Sequence, residues 1–267
     1  MTFSKFIFFI AVPLILSSCN SDKKEIKHHP ENSNSIELLK ADIKKYPDSL
    51  MLIQNLIEEY RNENYYDSAI LVTDQEIAKD SNNAYLWNIK ATLFFENRDT
   101  LKAIDALEKA IEVFPLPEYL VALGTIYAEI RSKNALMIAD ELLERNRMKS
   151  AKDAWFIKGL YYNYINEPKN AIPFLDSCLS TDYTYMYAYR EKAIALYNLS
   201  KYKDAIDVLK RAVTIQNNFD EGYFWLGKCY EKLGQKEDAI ESYQNALLYD
   251  KDYVEAREAL NKLGIKN

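Results

Sequence analysis

Residues 186–219 read MYAYREKAIALYNLSKYKDAIDVLKRAVTIQNNF, and residues 220–253 read DEGYFWLGKCYEKLGQKEDAIESYQNALLYDKDY. Each segment is 34 residues long, and the two carry similar residues at matching positions. Ala193 and Gly227 share one position, and Ala205 and Ala239 share another. Small residues at a fixed spacing let two helices approach closely, so this pair of segments predicts a tandem helical repeat.

The same 34-residue period runs through most of the chain. Small residues mark one position, which is broken only at Met137, and they are Ala69, Ala103, Ala171, Ala205 and Ala239. Large apolar residues mark a second position, at Ile53, Trp87, Trp155, Tyr189 and Tyr223. A third position also carries large residues, at Tyr60, Phe94, Tyr162, Leu196 and Tyr230. Large residues that fill the space around small ones indicate pairs of packed helices.

This pattern resembles the tetratricopeptide repeat, a unit of two antiparallel helices. The resemblance implies an all-α fold, a right-handed superhelical solenoid of tandem helix-turn-helix units. We expect the repeat array to span residues 35–267. Within it we expect a half-repeat at 35–49, six repeats over 50–253 and a capping helix at 254–264, because an uncapped solenoid end would expose apolar surface.

One unit departs from the period. Between Pro117 and Ala151 the small residues are Gly124 and Ala135, which lie one and two places early. A shorter turn and a longer second helix would account for this shift. We therefore expect a local irregularity of the solenoid between residues 131 and 150.

Composition excludes several classes of protein. The chain has only 6 Gly and 7 Pro in 267 residues, which disfavours sheet-rich sandwiches and glycine-looped nucleotide folds. A net charge of −6 gives no electrostatic basis for nucleic-acid binding, which depends on neutralising phosphates. A hydrophobic share of 48% is ample for a buried core.

The N-terminal residues have the features of a targeting signal. Residues 1–18 combine Lys5 with an apolar run from Phe6 to Leu16, as in a secretory signal peptide. The sequence Leu16-Ser17-Ser18-Cys19 resembles a bacterial lipobox, which implies that Cys19 is lipidated. Residues 19–34 are mostly polar, and we expect them to form a flexible tether. The predicted location is the cell envelope, with a lipid anchor to a membrane, most simply the outer one, and the folded part facing the periplasm.

No catalytic or metal site is expected. Both histidines, His28 and His29, fall in the tether, so the repeat array has no histidine base or metal ligand. The segment Gly222–Cys229 differs from a phosphate-binding loop at one position, because Cys229 stands where that motif has Ser or Thr. Three aromatic residues also occupy its middle, which disfavours phosphate binding. Cys178 and Cys229 are expected to pack in the core. We therefore predict no cofactor, no small-molecule substrate and no enzymatic activity.

The resemblance also implies a binding surface, because the first helix of each tetratricopeptide unit lines the inner groove. Applied residue by residue, it predicts a partner-binding groove formed by Tyr85, Asn88, Phe95, Phe156, Tyr164, Tyr187, Arg190, Tyr197, Phe224 and Lys228. Aromatic residues supply contact area at low entropic cost, which suits an extended peptide or a partner helix.

We therefore expect a lipid-anchored scaffold, or an assembly or adaptor factor, that binds a protein or peptide of the envelope and reaches the membrane only through its lipid. By architecture it is similar to bacterial repeat lipoproteins that help to assemble outer-membrane pores. Two alternatives remain. One is an envelope hydrolase that uses carboxylates alone, and the other is a structural homo-oligomer that binds through its convex face.

The lipidation hypothesis predicts a specific mass. Native protein isolated from membranes should begin at Cys19 and carry the added mass of its acyl chains, because small residues precede that cysteine. Intact mass spectrometry measures this directly. A water-soluble chain that begins at another residue would contradict lipidation at Cys19.

Overall fold

The computed structural model describes residues 32–265, which form thirteen α-helices and no β-strand. The predicted signal peptide, Cys19 and nearly all of the predicted tether lie outside these residues. The helices are α1 (Asn32–Lys45), α2 (Leu50–Asn62), α3 (Tyr66–Lys79), α4 (Ala84–Glu96), α5 (Thr100–Val113), α6 (Pro117–Glu129), α7 (Asn134–Tyr164), α8 (Pro168–Thr181), α9 (Met186–Asn198), α10 (Tyr202–Ile215), α11 (Asp220–Lys232), α12 (Lys236–Tyr249) and α13 (Val254–Lys262).

The helices stack in chain order. Each packs mainly against its neighbours in sequence, and α9 also contacts both α7 and α11, two helices away on either side. The helices α2, α4, α9, α11 and α13 begin at positions separated by 34 residues or a multiple of it. The all-α prediction is therefore confirmed. None of the helices between residues 32 and 265 has both the length and the apolar character needed to cross a bilayer.

The periodic small residues form the contacts between paired helices. Each of the five periodic alanines is fully buried, as is Ala135 in the irregular unit, and the five are Ala69, Ala103, Ala171, Ala205 and Ala239. At Gly159 an added methyl group would lie 2.6 Å from Cγ of Leu175. At Gly227 it would lie 2.5 Å from the ring of Tyr243, which is itself fully buried. The helices approach so closely there that only hydrogen fits.

A second device recurs at the turn within each unit. One residue there has a φ of +60° to +72°, and the set is Asn64, Arg98, Arg131, Asn166, Ser200 and Gly234. The next amide bonds back to a carbonyl five residues earlier, as Asp99 N–H does to the oxygen of Phe94 at 2.8 Å. This is the Schellman ending of a helix, in which the left-handed residue satisfies carbonyls that the helix leaves unpaired. Only Gly234 avoids the conformational cost of that position.

The irregular unit is built differently from our expectation. Its turn, residues 130–133, is not shorter than the three-residue turns of the other units, so that prediction is wrong. The long helix α7 instead contains the second helix of one unit and the first helix of the next, joined at Asn146, whose φ of −159° and ψ of 84° are not helical. The Asn146 side chain accepts a hydrogen bond from the amide of Lys149 at 3.2 Å, so it caps the segment that follows the kink.

The close contact at Gly227 can be tested by one methyl group. In an open helical position, replacing glycine by alanine stabilises a protein by about 0.5 to 1 kcal/mol. We expect Gly227→Ala to lower the free energy of unfolding by about 1 to 3 kcal/mol instead, because the ring of Tyr243 must move. Denaturant unfolding followed by circular dichroism measures the change. A gain in stability would show that the helices are not in close contact at this residue.

Candidate partner-binding groove

A groove of about 1020 Å³ runs along the C-terminal part of the solenoid. First helices build most of it, namely the C-terminal end of α7 together with α9, α11 and α13, and the second helix α12 adds Tyr243. Because the first helices stand side by side, equivalent positions of successive units line the same surface. The lining side chains that carry the site are Tyr164, Tyr187, Arg190, Glu191, Glu221, Phe224, Trp225, Lys228, Glu231, Tyr243, Tyr253, Glu255 and Glu258.

One wall of the groove is a cluster of rings around Phe224. Its ring centroid lies 5.0 Å from that of Tyr253, 5.8 Å from that of Tyr243 and 6.0 Å from that of Trp225. The ammonium of Lys228 lies 5.7 Å from the Phe224 ring and 5.3 Å from the Trp225 ring. Because these rings hold one another in place, they lose little conformational freedom when a ligand binds. The aromatic wall is therefore preorganised for binding.

An ion-pair network forms the floor of the groove. Arg190 is only 2% exposed. Its Nη1 donates to both carboxylate oxygens of Glu221 at 2.7 Å, and its Nε donates to Oε1 of Glu191 at 3.1 Å. Burial lowers the pKa of Arg190, but Glu191 and Glu221 outweigh that effect and raise it above its ordinary value. Arg190 and Glu221 therefore join α9 to α11 through a charge-assisted contact.

The structure brings five of the ten predicted groove residues together. Tyr164, Tyr187, Arg190, Phe224 and Lys228 all line the groove. Tyr187 is 39% exposed, and its ring lies 5.2 Å from the guanidinium carbon of Arg190. Arg190 is buried by its ion pairs, so it shapes the surface from below instead of projecting from it.

The other five predicted residues lie elsewhere. Tyr197 is not part of the lining, and its ring lies 5.5 Å from that of Trp225. Phe156 is buried and meets the ring of Tyr185 edge-on at 5.1 Å. Tyr85, Asn88 and Phe95 all belong to α4, which contributes nothing to this groove, and Asn88 is buried.

The acidic side of the groove does not follow from a prediction based on rings and cations. Glu221 occupies the same position of its unit as Tyr187 and Tyr85, and Glu255 occupies it in α13. Treating α13 only as a cap hides its part in the groove. The carboxylates of the lining are Glu191, Asp220, Glu221, Glu231, Asp250, Glu255 and Glu258, against the cations Arg190, Lys228 and Lys262.

Burial and the carboxylates of the lining raise the pKa values of two groups in the groove, Asp220 and Tyr253. Burial raises the pKa of Asp220 above its ordinary value, and the nearby carboxylates of Glu221 and Asp250 raise it further. The pKa of the Tyr253 hydroxyl is raised by burial, and then by Glu221 and Asp220. The carboxylates of the groove are thus close enough to one another, and to Tyr253, to raise the pKa values of neighbouring groups.

Glu129, at the end of α6, is the most strongly perturbed carboxyl group near the network. Its Oε1 is buried without a hydrogen-bond partner among the described residues. Burial and the charge of Glu191 raise its pKa to about 7, although Arg190 opposes the shift. Glu129 therefore holds a proton well above the pH at which an exposed glutamate loses it.

Both cysteines of the repeat array are buried and free, as predicted. Burial raises the pKa of each thiol to about 12, so neither forms the reactive thiolate near neutral pH. No group of three or more His, Cys, Asp or Glu side chains within residues 32–265 is arranged to hold a metal ion.

Comparison with known families agrees with this architecture. A model described as TPR repeat matches residues 193–234, and one described as tetratricopeptide repeat matches residues 220–253. Both matches lie within residues 186–253, the two most regular 34-residue segments. No curated protein matches the sequence significantly.

Solved structures extend the match over most of the chain. A tetratricopeptide repeat protein from Parabacteroides merdae is 19% identical, with a TM-score of 0.72 over 87% of this chain and 92% of the other. PilW, a type IV pilus biogenesis factor, is 18% identical, with a TM-score of 0.62 over 79% and 97%. TTC0263 from Thermus thermophilus is 15% identical, with a TM-score of 0.58 over 67% and 98%.

The fold is therefore that of a tetratricopeptide repeat solenoid, as the sequence predicted. The family-model matches and the structural likeness together support the tetratricopeptide repeat family. At these sequence identities the structural likeness concerns the fold alone.

The buried carboxyl of Glu129 predicts a pH-dependent stability. Its folded pKa of about 7 exceeds the ordinary value of 4.5, so the folded state keeps a proton that the unfolded state has lost. The contribution of Glu129 to the free energy of unfolding therefore falls as the pH rises from 4.5 through 7. We expect Glu129→Gln to stabilise the protein by about 1 to 3 kcal/mol at pH 8 and by much less at pH 5. Unfolding curves at both pH values measure the difference, and an equal effect at both would contradict the assignment.

Proposed function

We propose that this protein is a lipid-anchored scaffold of the bacterial cell envelope that binds another protein through its C-terminal groove. The groove is the single observation that carries the proposal. It combines an aromatic wall with charged groups that neighbouring helices fix in place. Aromatic residues are enriched among the residues that dominate binding, and ligand sites are typically concave with a few fixed polar groups.

The envelope location rests on the sequence. The signal-like residues 1–18 and the lipobox-like residues before Cys19 favour export followed by acylation. A cysteine with several acyl chains is a stable anchor, whereas a single chain holds a protein only transiently. The segment between Cys19 and α1 would let the solenoid stand away from the membrane and meet partners in the periplasm, most simply from the outer membrane.

An assembly or adaptor role fits this arrangement. A solenoid with an open groove can hold a partner segment without enclosing it, which suits the gathering of components at a membrane. PilW, whose fold is similar, is a type IV pilus biogenesis factor. Its example supports the idea that this fold can serve in assembly.

A hydrolase that relies on carboxylates is less well supported. Such an enzyme needs one protonated and one ionised carboxyl group facing the same substrate. Glu129 keeps its proton near neutral pH but does not line the groove. Glu191 and Glu221 line the groove, but both are bound by Arg190. Glu129 is thus outside the groove, and Glu191 and Glu221 are better placed to fix its floor than to transfer protons.

A matched pair of variants tests the binding site. The groove variant, Tyr187→Ala with Phe224→Ala, removes two rings from the lining. The control variant, Tyr65→Ala with Tyr183→Ala, removes two exposed rings outside it. Because aromatic anchors dominate binding, we expect the groove variant to recover at least tenfold less partner in affinity purification from intact envelopes. The control variant should recover the wild-type amount.

The outcome is interpretable only for folded proteins, so both variants should first show wild-type helicity and cooperative melting. Equal partner recovery by the groove variant and the wild type would overturn the proposed site. Recovery of nothing but a second copy of this chain would favour the homo-oligomer instead.

A further inference from the structure

The groove has an unbalanced charge at the end that faces α13. Asp250, Glu255 and Glu258 line it there, together with Asp220 from the start of α11. None of these four carboxylates takes part in an ion pair within the described part of the chain, whereas Glu221 is held by Arg190. Lys262 is the one lysine of α13 in the lining.

The rings beside these carboxylates already hold one cation of the protein itself, and they offer apolar surface to a ligand. Tyr253 and Phe224 lie against each other at 5.0 Å, and Lys228 already lies over the Phe224 and Trp225 rings. A positive charge over an aromatic face is attracted by the ring, and a nearby carboxylate adds to that attraction. Lysine and arginine also have apolar stems that pack on rings while their charged ends reach acidic groups.

The size of the groove selects a chain over a small cation. Four first helices, each separated from the next by about 10 Å, give it a length on the order of 30 Å. An extended peptide advances about 3.3 Å per residue, so roughly nine residues fit along it. The excess of carboxylates repels phosphate, which disfavours a nucleic acid or an anionic membrane surface as the occupant.

We propose that the groove binds an extended peptide segment rich in lysine or arginine, with apolar residues between its charges. This inference rests on the proposed function and specifies its partner. The apolar residues contact the ring wall around Phe224, and the cations meet Asp250, Glu255 and Glu258. Charges at such a rim contribute to specificity and to the rate of association, so binding should weaken as salt rises.

Three peptides of twelve residues test the charge preference. They repeat Leu-Lys-Ala, Leu-Gln-Ala or Leu-Glu-Ala four times and carry a fluorescent label. We expect fluorescence anisotropy to show that the lysine peptide binds at least tenfold more tightly than the glutamine peptide in 50 mM salt, and that the glutamate peptide binds most weakly. The advantage of lysine should shrink in 300 mM salt.

Two variants locate the binding. The rim variant replaces the three carboxylates at the end of the groove that faces α13, by Asp250→Asn, Glu255→Gln and Glu258→Gln. It should lower the affinity for the lysine peptide at least tenfold. The control variant Asp207→Asn, Glu237→Gln, Glu241→Gln removes as many exposed carboxylates outside the groove, and it should bind as the wild type does. Equal binding of the lysine and glutamine peptides overturns the inference, as does equal loss in the two variants.

Failure of this inference is distinct from failure of the proposed function. If the lysine peptide has no advantage but the ring-deleted groove variant still loses its envelope partner, the groove binds a partner of other chemistry and only the cationic specificity is wrong. If the groove variant keeps its envelope partner, the proposed function itself fails.

Discussion

The close approach of paired helices is the constraint on which the rest of the structure depends. It is set by residues with little or no side chain, such as Ala205, Ala239 and Gly227, and by the large residues that fill the space around them. Tyr243 shows the coupling, because its ring lies against Gly227 on one side and borders the groove on the other. Packing that fixes the pairs of helices thus also fixes the position of the groove wall.

Stacking of the units then converts this packing into a surface. The first helices α9 and α11 are held together by the contact of Arg190 with Glu221, and by rings that span units, such as Tyr197 against Trp225. A buried guanidinium with two carboxylate partners is costly to break, because it would leave an unpaired buried charge. The groove is therefore a consequence of how units are joined, and its chemistry is set by which residues occupy the exposed positions of the first helices.

The sequence was sufficient for the architecture because the period of 34 residues records which residues are buried. Ala69, Ala103, Ala171, Ala205 and Ala239 were placed correctly from spacing alone. The left-handed turn residues could not be recognised, since Arg98, Arg131 and Ser200 are not the glycines that usually mark that conformation. The kink at Asn146 lies within residues 131–150, where the pattern predicts a local irregularity, but the pattern does not show at which residue the helix breaks.

The candidate site was only partly predictable for a related reason. A repeat position shows which way a side chain faces, but not what it meets there. Tyr187, Phe224 and Lys228 line the groove. Phe156 and Arg190 occupy the same repeat position as Phe224, but Phe156 is buried against Tyr185. Arg190 belongs to the groove through its ion pairs with Glu191 and Glu221. The carboxylates of α13 do not follow from the sequence pattern, because that pattern indicates only a capping role for the last helix.

A partner of this protein should contact the groove that the last units form. A photo-reactive phenylalanine analogue placed in living cells tests this most directly, at Tyr187 in the groove and at Leu101, which is exposed on α5 and outside the groove. Irradiation should yield a crosslinked partner from the Tyr187 position and none from the Leu101 position. Crosslinks to the same partner from Leu101 alone would contradict the account.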